Sequence, residues 1–179
     1  MKKNKSILVM ALALGISTSF SSCSNAQNNN QETSTEVNIS STEISKEQAQ
    51  KILSAYLEIK QALVQTDGET ASTAAQKLVT ALGESKDELA GKIRFDAEHI
   101  AETKDAGHQR DHFNTLSDNV YAMVKATGAN PDNLYRQYCP MAMDNKGAYW
   151  LSSEKEVNNP YFGDKMLRCG SVKETIKGN

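Results

Sequence analysis

Between Ser45 and Gly128 the apolar residues recur at helical spacing in four runs, each ended by glycine, alone or beside an acidic residue. A stripe of that period has to be buried against other elements, and short links make consecutive helices antiparallel neighbours. In the first run Ile52, Tyr56, Ile59 and Leu63 share a face, flanked by Leu53, Leu57 and Val64. Ser45 and Gln48 fit a capping box, and Asp67-Gly68 stops the helix. A second helix is predicted over 70–82, with Ala71, Ala74, Ala75, Leu78 and Leu82 inward and Gly83 at its end. A third is predicted over 86–104 on Leu89, Ile93 and Ile100, with a tight turn at Asp105-Ala106-Gly107. A fourth is predicted over 108–127 on Phe113, Leu116, Val120 and Met123, closed by Gly128 and Pro131. The expected fold is mainly α: an antiparallel four-helix bundle.

The pattern changes after Pro131. Residues 134–138 and 148–151 are short aromatic-rich runs, with a turn expected at Asp144-Asn145-Lys146-Gly147. Residues 171–176 read as another short strand. These features predict a loop-rich C-terminal cap over 132–177 containing a short β-hairpin, within one folded domain over 43–177. That length suits one core and not two.

The N-terminus reads as an export signal over 1–22: Lys2, Lys3 and Lys5, a short apolar run over 7–16, then Phe20-Ser21-Ser22 before Cys23. The apolar run is too short to span a bilayer. Small residues before a cysteine predict cleavage and lipidation at Cys23, which implies a bacterial envelope protein anchored without a membrane span, on a periplasmic or surface face. Residues 23–42, polar and poor in apolar side chains, read as a flexible tether. Loss of three lysines and no acid turns 20 basic against 22 acidic residues into 17 against 22, a charge near −5. That balance argues against a nucleic-acid partner.

The residues able to carry chemistry lie late in the chain. Cys139-Pro140-Met141 is followed by Met143, and Met166 precedes Cys169 by three positions. Thiolate and thioether are soft ligands suited to Cu(I). The chain has three histidines, His99, His108 and His112. A hairpin turning near 105–107 sets residues whose numbers sum to about 211 opposite each other, so His99 faces His112; His108 shares a helix face with His112. The candidate metal ligands are therefore His99, His112, Cys139, Met141, Met166 and Cys169, with copper the expected ion and zinc the runner-up. A joint site requires the cap to fold over the third and fourth helices, bringing His99 or His112 near Cys139 or Cys169. In the other reading Cys139 and Cys169 form a disulfide, available once Cys23 carries lipid, and the methionines fill gaps around Trp150. His112 then bonds within the bundle, and the aromatic residues of the cap are core. No phosphate-binding loop, nucleotide fingerprint or oriented nucleophile occurs, so no enzyme activity is expected.

The strings His108 to Ser117, Tyr138 to Ala142, Gly147 to Ser152 and Asn159 to Val172 resemble a family of exported bacterial domains of unknown function. The resemblance spans residues 48–174. Such domains occur as lipoproteins in Bacteroides-like bacteria and attached to periplasmic adaptor proteins of copper and silver efflux pumps. The resemblance implies an envelope setting and a link to copper handling, with efflux components as partners. It assigns no ligand set. The chain lacks the helical hairpin and lipoyl-like regions of an adaptor. The expected function is soft-metal binding in copper handling or sensing; the alternative is a non-metal interaction or scaffold module stapled by Cys139–Cys169.

Overall fold

The computed structural model describes residues 43–179, so the expected signal segment, the lipidated Cys23 and the tether lie outside the described residues. Helix α1 is Lys46–Val64, α2 is Gly68–Leu82, α3 is Glu88–Glu102 and α4 is Ala106–Thr127. Strands β1 Leu134–Cys139, β2 Ala148–Ser152 and β3 Ser171–Ile176 follow, with a single 3-10 turn at Gly163–Met166. The protein is mainly helical, with four long helices and a small C-terminal antiparallel sheet.

Side-chain caps set the helix starts. Ser45 Oγ accepts the Gln48 N–H at 3.2 Å, one half of the expected capping box, while the Gln48 side-chain amide donates instead to the Ala81 and Leu82 carbonyls at the end of α2. Aspartates open the other three. Asp67 accepts from Thr70 N at 3.0 Å, Asp87 from Leu89 N and Ala90 N at 2.8 and 3.1 Å, and Asp105 from Gly107 N at 2.8 Å. These caps correct three expected boundaries. Asp67-Gly68 begins α2 as well as ending α1, α3 starts at Glu88, and Asp105-Ala106-Gly107 is the first turn of α4 rather than a separate turn. Gly68 allows α2 to meet the end of α3: a Cβ there would lie 1.9 Å from the Lys104 carbonyl oxygen.

Ile52, Tyr56, Ile59, Leu63, Leu78, Leu82, Ile93, Ile100, Phe113, Leu116, Val120 and Met123 are fully buried, which is the apolar face expected from the spacing. Each helix packs on its neighbour in sequence, and α1 also packs on α4. Truncating one of these large aliphatic side chains to alanine costs about 2–5 kcal/mol, because the lost transfer energy is joined by that of the cavity.

The cap contains the expected hairpin, β1 with β2, and residues 171–176 join it as the third strand. β1 is central, with β2 on one edge and β3 on the other, both antiparallel. Tyr138 lies opposite Tyr149 and Gln137 opposite Trp150 across β1–β2, while Tyr138 pairs with Ser171 across β1–β3. The third strand covers the β1 edge that a two-stranded hairpin would leave unpaired. The expected turn at 144–147 is longer. Met143, Asp144 and Asn145 take left-handed φ values of 52°, 56° and 64°, a conformation unfavourable for side chains with a Cβ.

Polar and aromatic contacts seat the sheet on the helices. Arg136 lies between the rings of Tyr121 and Tyr149, 4.0 Å from each centroid, and reaches Asp118 at 3.2 Å. Tyr121 donates to Glu174 at 2.8 Å, joining α4 to β3. Inside, Tyr56, Phe113, Tyr161 and Trp150 form a chain of ring contacts at centroid distances of 5.2, 5.8 and 5.9 Å. Trp150 is 1% exposed and is core, whereas Tyr161 of this cluster lines the cleft described below together with Phe162.

Candidate functional site

The cap hangs on two anchors. Asn159, fully buried, donates to the Cys169 carbonyl at 2.8 Å and accepts from Tyr161 N at 2.8 Å. Arg110 of α4 donates to the Pro160 carbonyl at 2.8 Å, to the Leu63 carbonyl at 3.0 Å and to Thr66 Oγ1 at 2.9 Å. One guanidinium thus fastens the 159–163 loop to the end of α1. Gly163 sits against that junction with φ 59°, where a Cβ would meet Thr66 Oγ1 at 2.6 Å. The Asn-Pro-Tyr-Phe-Gly string is therefore scaffold: it fixes the 3-10 turn that carries Met166.

Two separate chain segments then meet over α4. Met141 and Met143 from the β1–β2 link and Met166 from the 3-10 turn line one cleft of about 690 Å³. Its helical wall is Gly107, Arg110, Asp111 and Asn114. Met141 is 47% exposed, unusual for so apolar a side chain. Asp111 and Asp144 put carboxylates on the wall, and Arg110 and Lys146 put cations there.

The cysteines form a pair of their own. Cys139 Sγ and Cys169 Sγ are 3.1 Å apart, with both thiols free, Cys139 fully buried and Cys169 partly exposed. The hydrogen bond to Cys139, then desolvation, raises the Cys169 pKa above the ordinary thiol value. At neutral pH that thiol stays protonated and is a poor nucleophile. Neither cysteine lines the methionine cleft.

The histidines make a third group, on α3 and α4. The rings of His99 and His112 stack at 4.4 Å, as the hairpin register predicts. His108 meets His112 edge-on at 5.0 Å. His112 Nδ1 lies 3.2 Å from Asp96 Oδ1, and Thr115 donates to the same oxygen at 2.9 Å. No histidine lines the methionine cleft. Among the described residues, no three or more His, Cys, Asp and Glu side chains form a group able to hold a metal ion. The six expected ligands therefore fall into three places: His99 with His112, Cys139 with Cys169, and Met141 with Met166.

Sequence reasoning overlooked Asp96, Asp111 and Asn114. The register that sets His99 against His112 also sets Asp96 against Thr115, so that contact was available from the numbers. The cleft wall was not, because it depends on which face of α4 the cap covers.

Four helices carrying a small antiparallel sheet, with a thioether cleft and a thiol pair at their junction, define a small mainly helical domain with a sulfur-rich cap. Residues 52–132 match a family model described as "Protein of unknown function (DUF3347)". The match runs from within α1 to the residues just before β1; it contains the three histidines and none of the cap sulfurs. No curated protein and no solved structure matches the chain. Among the described residues, no helix is long and apolar enough to cross a membrane.

Proposed function

We propose that this domain binds a soft monovalent ion, Cu(I), in the cleft formed by Met141, Met143 and Met166. The observation that carries the reading is that three methionines, from two segments more than twenty residues apart, line one accessible cleft. Thioethers are neutral soft donors with little affinity for harder ions. They also keep their donor character in an oxidising compartment, where a neighbouring thiol pair is lost to disulfide formation. When bound, the ion would be a cargo or a signal. The chain would hold it through the three sulfurs, with Asp111 and Asp144 supplying nearby negative charge.

In this reading the closed ring of helix contacts is an antiparallel four-helix bundle, and the cap is the working end. The lysine-rich start, the short apolar run and Cys23 support a lipoprotein held at an envelope membrane by a tether. Copper handling or support of copper and silver efflux follows from that setting and from the family resemblance. The protein acts without catalysis, and zinc is the less suited ion because methionine does not favour it. A direct test uses Ag(I), a soft ion that needs no reductant. With the cysteine pair oxidised so that no thiol takes the ion, the methyl resonances of Met141, Met143 and Met166 should shift together at one equivalent, and no shift at any of them overturns the assignment.

A second reading is favoured by the 3.1 Å separation of Cys139 and Cys169. There the pair is a structural staple of an interaction module that binds no metal. The same Ag(I) experiment separates the two, since a stapled module without a soft site leaves all three methyl groups unmoved.

A further inference from the structure

Among the described residues, the exposed large apolar side chains are Phe95, at 57%, and Met141. Phe95 packs its ring against those of His99 and His112. Met141 instead opens onto the cleft over α4. Its neighbours in the chain hold it there. Cys139 ends β1 fully buried, Ala142 is fully buried directly after Met141, and Pro140 stiffens the backbone between them. A thioether side chain pinned in water forgoes burial that would stabilise the fold. The other described methionines are better covered. Met123 is 0% exposed in the bundle core, Met143 is half-buried against that core, and Met166 is half-buried at the end of the 3-10 turn. The four sulfurs form a graded series, with Met141 at its open end.

A thioether in reach of solvent undergoes two-electron oxidation by peroxides. The sulfur lone pair attacks one peroxide oxygen, the O–O bond breaks and an S–O bond forms. With hydrogen peroxide the other oxygen leaves as water, so sulfur is oxidised, peroxide is reduced, and no further reactant is needed. The product, methionine sulfoxide, is polar and chiral. Its electron density sits on oxygen, a hard donor, and the soft donor is lost.

We infer that Met141 is an oxidation site that switches the cleft off: peroxide converts it to the sulfoxide ahead of the other methionines, and the cleft then gives up its soft ion. The switch rests on the soft-ion reading. Of the three cleft sulfurs it removes the most exposed and leaves Met143 and Met166, one from each segment. A bound ion acts in the opposite direction. The lone pair that coordinates the ion is the one that attacks peroxide, so a filled cleft protects Met141 and an empty one leaves it reactive. The site therefore reads two signals, the soft ion and the oxidant, through one sulfur.

The test exposes the folded, full chain to limiting hydrogen peroxide, with the cysteine pair already oxidised so that no thiol consumes it, and locates the added oxygen by peptide mass. Met141 should react first, Met143 and Met166 later and Met123 last, with Met141 about tenfold faster than Met123 or more. One equivalent of Ag(I) added beforehand should slow the reaction at Met141. Protein oxidised at Met141 should bind Ag(I) about tenfold more weakly than untreated protein. Met141→Leu separates this sulfur from general damage: its Ag(I) affinity, already lowered, should not fall further under the same treatment. Equal rates at Met141 and Met123 overturn the inference, as does a Met141 that Ag(I) fails to protect. A further fall in Met141→Leu overturns it too. Ag(I) uptake that survives oxidation at Met141 refutes the switch alone, whereas no uptake by untreated protein refutes the soft-ion reading and the switch with it.

Discussion

Cys139 and Cys169, thirty positions apart in sequence, hold their sulfurs 3.1 Å apart at the junction of β1 with the segment leading into β3. A disulfide here would constrain the chain that carries all three cleft methionines. Loop entropy alone gives roughly 3 kcal/mol of stabilisation for a link of this span, on a model that leaves strain aside. Mild oxidation should remove both thiols from alkylation and raise the denaturant midpoint; reductant should reverse both. If oxidised, folded protein still has two reactive thiols, the staple does not exist.

Tyr56 joins the first helix to the cap. Its hydroxyl accepts the Leu151 N–H at 3.0 Å and lies 2.8 Å from Ser117 Oγ, all inside the core. Tyr56→Phe keeps the ring stack on Phe113 but leaves a buried backbone N–H unpaired. A cost of about 1–3 kcal/mol follows, because the stranded donor loses water without a replacement. Equilibrium urea unfolding reads this directly, and a change near zero would mean that water enters to replace the hydroxyl.

Burial raises the pKa of both Tyr56 and Tyr161 above the ordinary phenol value, most strongly through desolvation. The unfolded chain therefore releases these protons at lower pH than the folded chain does. Their contribution to stability is whole below the unfolded value of about 10 and declines as pH rises above it. Absorbance titration should show two of the six tyrosines ionising only together with loss of helix signal. Six phenols titrating before any unfolding would contradict this.

Gly163 links scaffold to cleft. Gly163→Ala places a methyl against Thr66 Oγ1 and asks an alanine to hold φ 59°, so a loss of about 1–3 kcal/mol is expected. Because the 3-10 turn that carries Met166 starts here, soft-ion affinity should fall along with the melting temperature. Unchanged values for both would show that the loop relaxes freely and that Arg110 and Asn159 do not fix it.

The sequence made the helices legible because their apolar period is long and their breaks are glycines. It misplaced three starts: α2 and α4 begin earlier because Asp67 and Asp105 recruit the next residues into a first turn, α3 begins later because Asp87 is its cap, and an Asp-Gly pair looks the same whether it ends a helix or begins one. The stacking of His99 on His112 was readable from hairpin register, since a short link leaves little freedom. The separation of imidazoles, thiols and thioethers was not. Cys139 and Met141 are only two residues apart, and Met166 and Cys169 only three, yet in each pair the methionine lines the cleft and the cysteine does not. Cys139 is the buried last residue of β1 while Met141 lies in the link beyond it, and Met166 ends the 3-10 turn while Cys169 follows it; where such short elements end leaves no clear mark in residue type. The third strand was visible as a segment, but its place beside β1 depends on tertiary pairing.

The soft-ion reading is tested most directly by Cu(I) competition against a chromophoric chelator, using protein with its cysteine pair oxidised so that thiolates cannot compete. Methionine-to-leucine changes nearly preserve volume and remove only the sulfur. Wild type should withdraw one equivalent of Cu(I). Met141→Leu and Met166→Leu should each weaken binding by about tenfold, or about 1.4 kcal/mol. The variant with leucine at 141, 143 and 166 should not compete at all. A triple variant that withdraws Cu(I) as well as wild type does would contradict the account.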